Sequence, residues 1–175
     1  MIRSNKKKIG LFGGSFDPPH QGHLKISKIV IKKLSLSKLY WCITKKNPLK
    51  NRTFFSLSSR IKKSKIITSK IKKIKVKYLE DKTKSKNTID LINYLYKKDK
   101  KNKFFLIIGS DSLITFHKWK NWKLLTKLIT IVVFPRKDYD IKAKKSVIVK
   151  RVKNIIFIKN KPINISSTQI RKKLA

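Results

Sequence analysis

A chain of 175 residues and 20.5 kDa is long enough to bury one continuous core, and a single domain is expected. Its 40% apolar content, gathered in runs such as 104–108 and 128–134, excludes a disordered polyelectrolyte, even though 47 Lys+Arg against 8 Asp+Glu give a formal net charge of +39. No apolar run approaches the roughly 20 residues of a membrane-spanning helix, and one cysteine, Cys42, excludes an internal disulfide.

The lone thiol lies in an apolar run, and the apolar segment 9–12 behind the basic start is too short for a signal-peptide core. Both predict a soluble protein of the reducing cytoplasm, with no membrane partner. So positive a field attracts polyanions non-specifically. The lysines are spread over the whole chain together with abundant Ile and Asn, which fits compositional drift over a solvated surface, and no specific nucleic-acid partner is expected. Nothing in the sequence speaks to oligomeric state.

In chain order, residues 9–12 read as a short strand that stops at Gly13-Gly14, and a helix with apolar positions at Leu24, Ile26, Ile29, Val30 and Leu34 follows over 22–34. Residues 39–44 form a second strand, a polar loop passes through Asn47, Pro48 and Asn51, and Ser58 or Ser59 caps a helix reaching about 71. Residues 74–79 alternate like a strand, 80–87 are polar, and 88–97 are helical. The continuous apolar strand 104–108 ends at Gly109 and suits a parallel sheet covered on both faces. A helical region spans 110–128, broken near His117, and 129–134 is another buried strand. A charged linker over 137–145, a short strand at 155–158 and a capped helix over 166–174 complete the chain. The alternation predicts an α/β fold: a single Rossmann-like, doubly wound domain with a mainly parallel sheet and helices on both faces. Ligands in such folds lie beyond the carboxyl ends of the strands.

The residues at that edge carry chemistry. Gly13 and Gly14 let the backbone approach a ligand, and the following helix start offers N–H groups to a phosphate. Two of the three histidines, His20 and His23, flank Gly22 there and can donate hydrogen bonds to a phosphate in its transition state. Asp17 alone beside them makes a poor zinc site, so no resident metal is expected. At the far end, Ser166, Ser167 and Thr168 can cap a helix whose Arg171, four residues after Ser167, shares its face.

The segment 13–23, GGSFDPPHQGH, resembles the HxGH signature of the nucleotidyltransferase superfamily, in the form found in bacterial nicotinate-nucleotide adenylyltransferases. The segment 165–171, ISSTQIR, is similar to the same family's terminal motif. The resemblance implies transfer of the adenylyl group of ATP to nicotinate mononucleotide, with His20, His23 and Arg171 catalytic and magnesium brought in on the ATP. It places Gly13, Gly14, Ser15, Phe16, Gly22, Gly109, Asp111, Ser166, Ser167 and Thr168 around ATP. The GSDSL segment from Gly109, followed by Trp119, resembles the family's acceptor region, and the tryptophan is implied to stack on the pyridine ring. Lys50, Thr88 and Arg136 are further implied acceptor contacts. Leu49 and Asn87 depart from the family pattern, which carries histidine and tyrosine there. His117 is expected at the surface. The rivals are phosphopantetheine adenylyltransferase, a fragment of a class I aminoacyl-tRNA synthetase, and a basic nucleic-acid-binding scaffold.

Overall fold

The structure is a computed structural model, and it describes residues 6–45, 53–160, 163 and 165–173. Six strands form one sheet: β1 (Lys8–Gly14), β2 (Lys38–Ile43), β3 (Ile74–Lys77), β4 (Lys103–Gly109), β5 (Thr130–Phe134) and β6 (Ile155–Phe157). Every pairing is parallel, and the order is β3-β2-β1-β4-β5-β6. Parallel neighbours need crossovers, and helices supply them on both faces. The expected fold class holds.

Alternation along the central strands feeds two cores. Ile9, Leu11, Leu106, Ile108, Ile131 and Val133 enter one core, under α4 (Thr88–Lys98) and α6 (Trp122–Leu128). Phe12, Leu39, Trp41, Ile107, Val132 and Phe134 enter the other, under α1 (Gln21–Lys33) and α2 (Leu57–Thr68). Each fully buried side chain of this kind contributes roughly 1.5–3 kcal/mol relative to exposure. Cys42, also buried, has its thiol pushed up to about 12 by desolvation.

Several boundaries differ from the sequence expectation. The cap of α2 is Ser56, whose hydroxyl accepts from the Ser59 N–H at 3.2 Å, and not Ser58 or Ser59. The polar segment after β3 contains a four-residue helix, α3 (Glu80–Thr83). The region 110–128 is α5 (Ser110–Ile114), a 3-10 turn (Phe116–Lys118) and α6, with Asn121 in the left-handed region at φ 51. The charged linker contains a short helix, α7 (Asp140–Lys144), and a second, α8 (Val147–Arg151), follows it; each is anchored by one wholly buried residue, Ala143 and Ile148. With one anchor per helix there is no apolar period to read. The chain ends in α9 (Ser167–Lys172). Among the described residues, no helix is long and apolar enough to cross a membrane.

Candidate active site

The strand order reverses between β1 and β4, so the carboxyl ends of these two strands open a crevice. Gly13, near the carboxyl end of β1, is exposed, and a Cβ built there would meet nothing within 4 Å among the described residues. Beyond Gly14, Phe16 takes φ 46, a left-handed conformation uncommon for an aromatic residue. That turn drives its ring into the core, 2% exposed and stacked on Trp41 at 4.6 Å. The indole Nε1 donates to Ser27 Oγ at 2.8 Å, and that hydroxyl donates to the His23 carbonyl at 2.8 Å. Ser15 and Phe16 therefore have buried side chains. Any contact they make with a nucleotide is through backbone, while the Phe16 ring, 4.8 Å from the His23 ring, supports an imidazole.

The two histidines cap α1 reciprocally. Gly22 N–H donates to His20 Nδ1 at 3.1 Å, and His20 N–H donates to His23 Nδ1 at 3.2 Å. Two N–H groups expected to face a phosphate are thus taken by imidazoles. Because Nδ1 of His20 is an acceptor, the proton of the neutral ring sits on Nε2, where it can be donated outward. Burial, aided by the positive charge of Arg136, pulls the His20 pKa down to about 4. The ring is neutral at pH 7. The two ring centroids are 3.8 Å apart, so both histidines serve one small volume.

The terminal motif folds back onto the same loop. Arg171 Nη1 donates to the Asp17 carbonyl at 2.6 Å, its Nη2 donates to Thr168 Oγ1 at 3.0 Å, and Ser167 Oγ donates to the Pro18 carbonyl at 3.0 Å. Ser166 caps α9 through a capping box with Gln169. Ser167 and Arg171 do share a face, as their spacing predicts, and that face grips residues 17 and 18. Asp17 is itself 2% exposed and accepts the Phe54 and Phe55 N–H groups at 2.8 and 2.9 Å, with Arg171 Nη1 3.9 Å from its carboxylate.

Across the crevice, Gly109 ends β4, and a Cβ there would collide with Asp111 Oδ1 and come within 2.7 Å of Arg136 Nε. A side chain at this position would push the Asp111 and Arg136 side chains aside. Arg136 Nε and Asp111 Oδ1 lie 3.2 Å apart without hydrogen-bond geometry, and both side chains are more than a third exposed. Such a pair is worth little to stability. The Arg136 backbone is fixed by its N–H, donated to Ser110 Oγ at 2.9 Å and Asp140 Oδ1 at 3.1 Å.

A profile of the family described as cytidylyltransferase-like matches residues 11–173, from β1 through α9. The chain is 50% identical, over 173 residues, to the "Probable nicotinate-nucleotide adenylyltransferase" of Pelagibacter ubique, covering 98% of this chain and 96% of that one. It belongs to the cytidylyltransferase-like family and, within it, to the nicotinate-nucleotide adenylyltransferases. A relative of the same name from a Ruegeria species is 34% identical over 138 residues, 79% of this chain and 72% of that one. Among solved structures, Plasmodium falciparum nicotinic acid mononucleotide adenylyltransferase complexed with NaAD superposes with a TM-score of 0.81 at 23% identity, covering 97% of this chain and 84% of that one. At that identity the likeness is one of fold.

With the chain set among nicotinate-nucleotide adenylyltransferases, the residues expected on the acceptor side can be placed in turn. Thr88 is half-buried at the first position of α4. Asn87, where the family carries tyrosine, has its amide nitrogen on Ser85 Oγ at 2.9 Å and Asp90 Oδ2 at 3.2 Å. Trp119 is half-buried, with one face stacked on Phe116 at 4.8 Å. His117 is a correction: it is half-buried, and its Nδ1 is enclosed with no hydrogen-bond partner among the described residues. Lys50 and Leu49 lie outside the described residues. Sequence reasoning missed Arg60, 1% exposed beneath the histidine loop. The signal available was that only six of the 47 basic residues are arginine, the one cation suited to several fixed acceptors at once.

Proposed function

We propose that this adenylyltransferase joins ATP to nicotinate mononucleotide, giving deamido-NAD and pyrophosphate, as a single cytoplasmic domain. The observation that carries the chemistry is the His20–His23 pair, two imidazoles on one helix start at the point where the sheet reverses. An oxygen of the acceptor's phosphate attacks the α-phosphorus in line, the new P–O bond forms, and the bond to the bridging oxygen breaks. That phosphate oxygen is already deprotonated at pH 7, so no general base is required. The protein's task is positioning and charge stabilisation. His20, neutral and protonated on Nε2, donates to a phosphate oxygen, and His23 acts beside it. Arg171 exchanges its carbonyl partner for the leaving phosphates.

Gly13 leaves space for the nucleotide, and Gly109, Asp111 and Arg136 form the opposite wall. Trp119 offers its second face to the pyridine ring, with Thr88 and Lys50 as further acceptor contacts. Magnesium enters as part of the MgATP substrate. Of the acids near the site, Asp17 beside the histidines is engaged by two backbone N–H groups, and Asp111 on the opposite wall faces Arg136 Nε at 3.2 Å. Polyanions bind the positive surface non-specifically and do not define the function.

The test is pyrophosphate release from MgATP with nicotinate mononucleotide, nicotinamide mononucleotide and phosphopantetheine offered separately, for the wild type and for His20→Ala. Turnover with nicotinate mononucleotide that drops 10²–10³-fold in the variant is expected, the magnitude associated with losing one transition-state donor. Absence of turnover with every acceptor would overturn the enzymatic reading.

A further inference from the structure

Arg60 projects from the first turn of α2, is 1% exposed, and spends its guanidinium on backbone carbonyls. Nη1 donates to the Ser15 carbonyl at 2.7 Å and to the Thr44 carbonyl at 2.8 Å, Nη2 to the Lys45 carbonyl at 2.9 Å, and Nε to the Phe55 carbonyl at 3.1 Å. Those acceptors belong to the loop after β1, the loop after β2 and the approach to α2. Asp17, the other buried charge of the region, grips the same approach by accepting the N–H groups of Phe54 and Phe55. One stretch of backbone is therefore held through its carbonyl by Arg60 and through its amides by Asp17.

The loop so fastened is the one that ends in the histidines. Ser15 is separated by a single residue from Asp17, whose carbonyl receives Arg171, and Pro18 next to it receives Ser167. A change in where Ser15 sits is passed along that short path to both terminal-motif contacts and to His20. We propose that Arg60 is a positioning residue for adenylyl transfer: it touches no reacting atom, but it fixes the loop that carries His20 and that Arg171 grips through the Asp17 carbonyl. Lysine cannot replace it, because an ammonium is a single point with three donors, whereas the four carbonyls are met from three nitrogens in a planar fork. The proposal rests on the adenylyl-transfer reading for the choice of substrates.

Arg60→Lys and Arg60→Met are compared with Leu36→Ala, a wholly buried residue just before β2 and away from the carboxyl ends of the strands. All are assayed at a temperature where circular dichroism shows them folded. In both Arg60 variants, kcat is expected to fall at least tenfold, KM for ATP to rise, and the Phe54 and Phe55 amides to exchange faster. Leu36→Ala is expected to lose thermal stability while kcat and KM stay at wild-type values. Wild-type kcat and KM in folded Arg60→Met would reduce Arg60 to a structural part and overturn the proposal. If Arg60→Met does not fold, wild-type kinetics in Arg60→Lys would do the same. A wild type without turnover sinks the functional reading separately. The readout then becomes MgATP binding by calorimetry, where an unchanged Kd in Arg60→Lys counts against the proposal.

Discussion

Gly22 stands between the two histidines, and its replacement by alanine separates stability from activity. An ideal Cβ there lies 2.9 Å from both Cε1 and Nδ1 of His20 and 3.3 Å from Ile163 Cγ2, whereas ordinary contact begins at 3.4 Å. The imidazole must retreat by about 0.5 Å, because it is the movable partner while the helix backbone is not. Alanine in a helix is favoured over glycine by up to about 1 kcal/mol. Weakening the cap bond from Gly22 N–H to His20 Nδ1 costs about 1 kcal/mol. The two nearly cancel, and the melting temperature should move by no more than about 4 °C, the shift about 1 kcal/mol produces in a chain of this size. Displacing a transition-state donor by about half an ångström, where 1 Å can cost about 10²-fold, is expected to cost roughly tenfold in kcat/KM, or about 1.4 kcal/mol of barrier. Thermal melts together with steady-state pyrophosphate release measure both. A Gly22→Ala protein that melts like the wild type and retains its kcat/KM would refute the idea that the seat of the His20 ring matters.

Two further outcomes follow from the buried groups. The His20 pKa, read from imidazole proton shifts, is expected well below 6.5 in the free protein and to rise when MgATP adds negative charge beside it. Since the folded value, about 4, is below the unfolded 6.5, His20 costs no stability above pH 6.5 and destabilises the fold progressively as the pH drops from 6.5 towards 4. A free-protein value at or above 6.5 would contradict the buried, uncharged ring. Cys42, with its thiol raised to about 12, is expected to resist a thiol reagent at pH 8 in the native state and to react fully in denaturant. Rapid native labelling would show that β2 is not sealed.

The sequence alone determined the parallel α/β architecture, because runs such as 104–108 and the Gly-Gly break after β1 are local signals. It also singled out the histidine loop and the terminal Ser-Ser-Thr…Arg segment as candidate site residues, by residue type and spacing. Tertiary structure alone decided what those residues touch. Phe16 lies among glycines and histidines in sequence, yet a left-handed turn sends its ring to Trp41 and the core. The segment 137–145 reads as solvated charge, yet α7 and the neighbouring α8 form because Ala143 and Ile148 meet a core built elsewhere. Arg60 is one cation among 47 in sequence, and it gains its meaning from carbonyls 45, 16 and 15 residues away. Burying a guanidinium is costly unless distant backbone converges on it, and that convergence exists only after the sheet has brought the ends of β1 and β2 side by side.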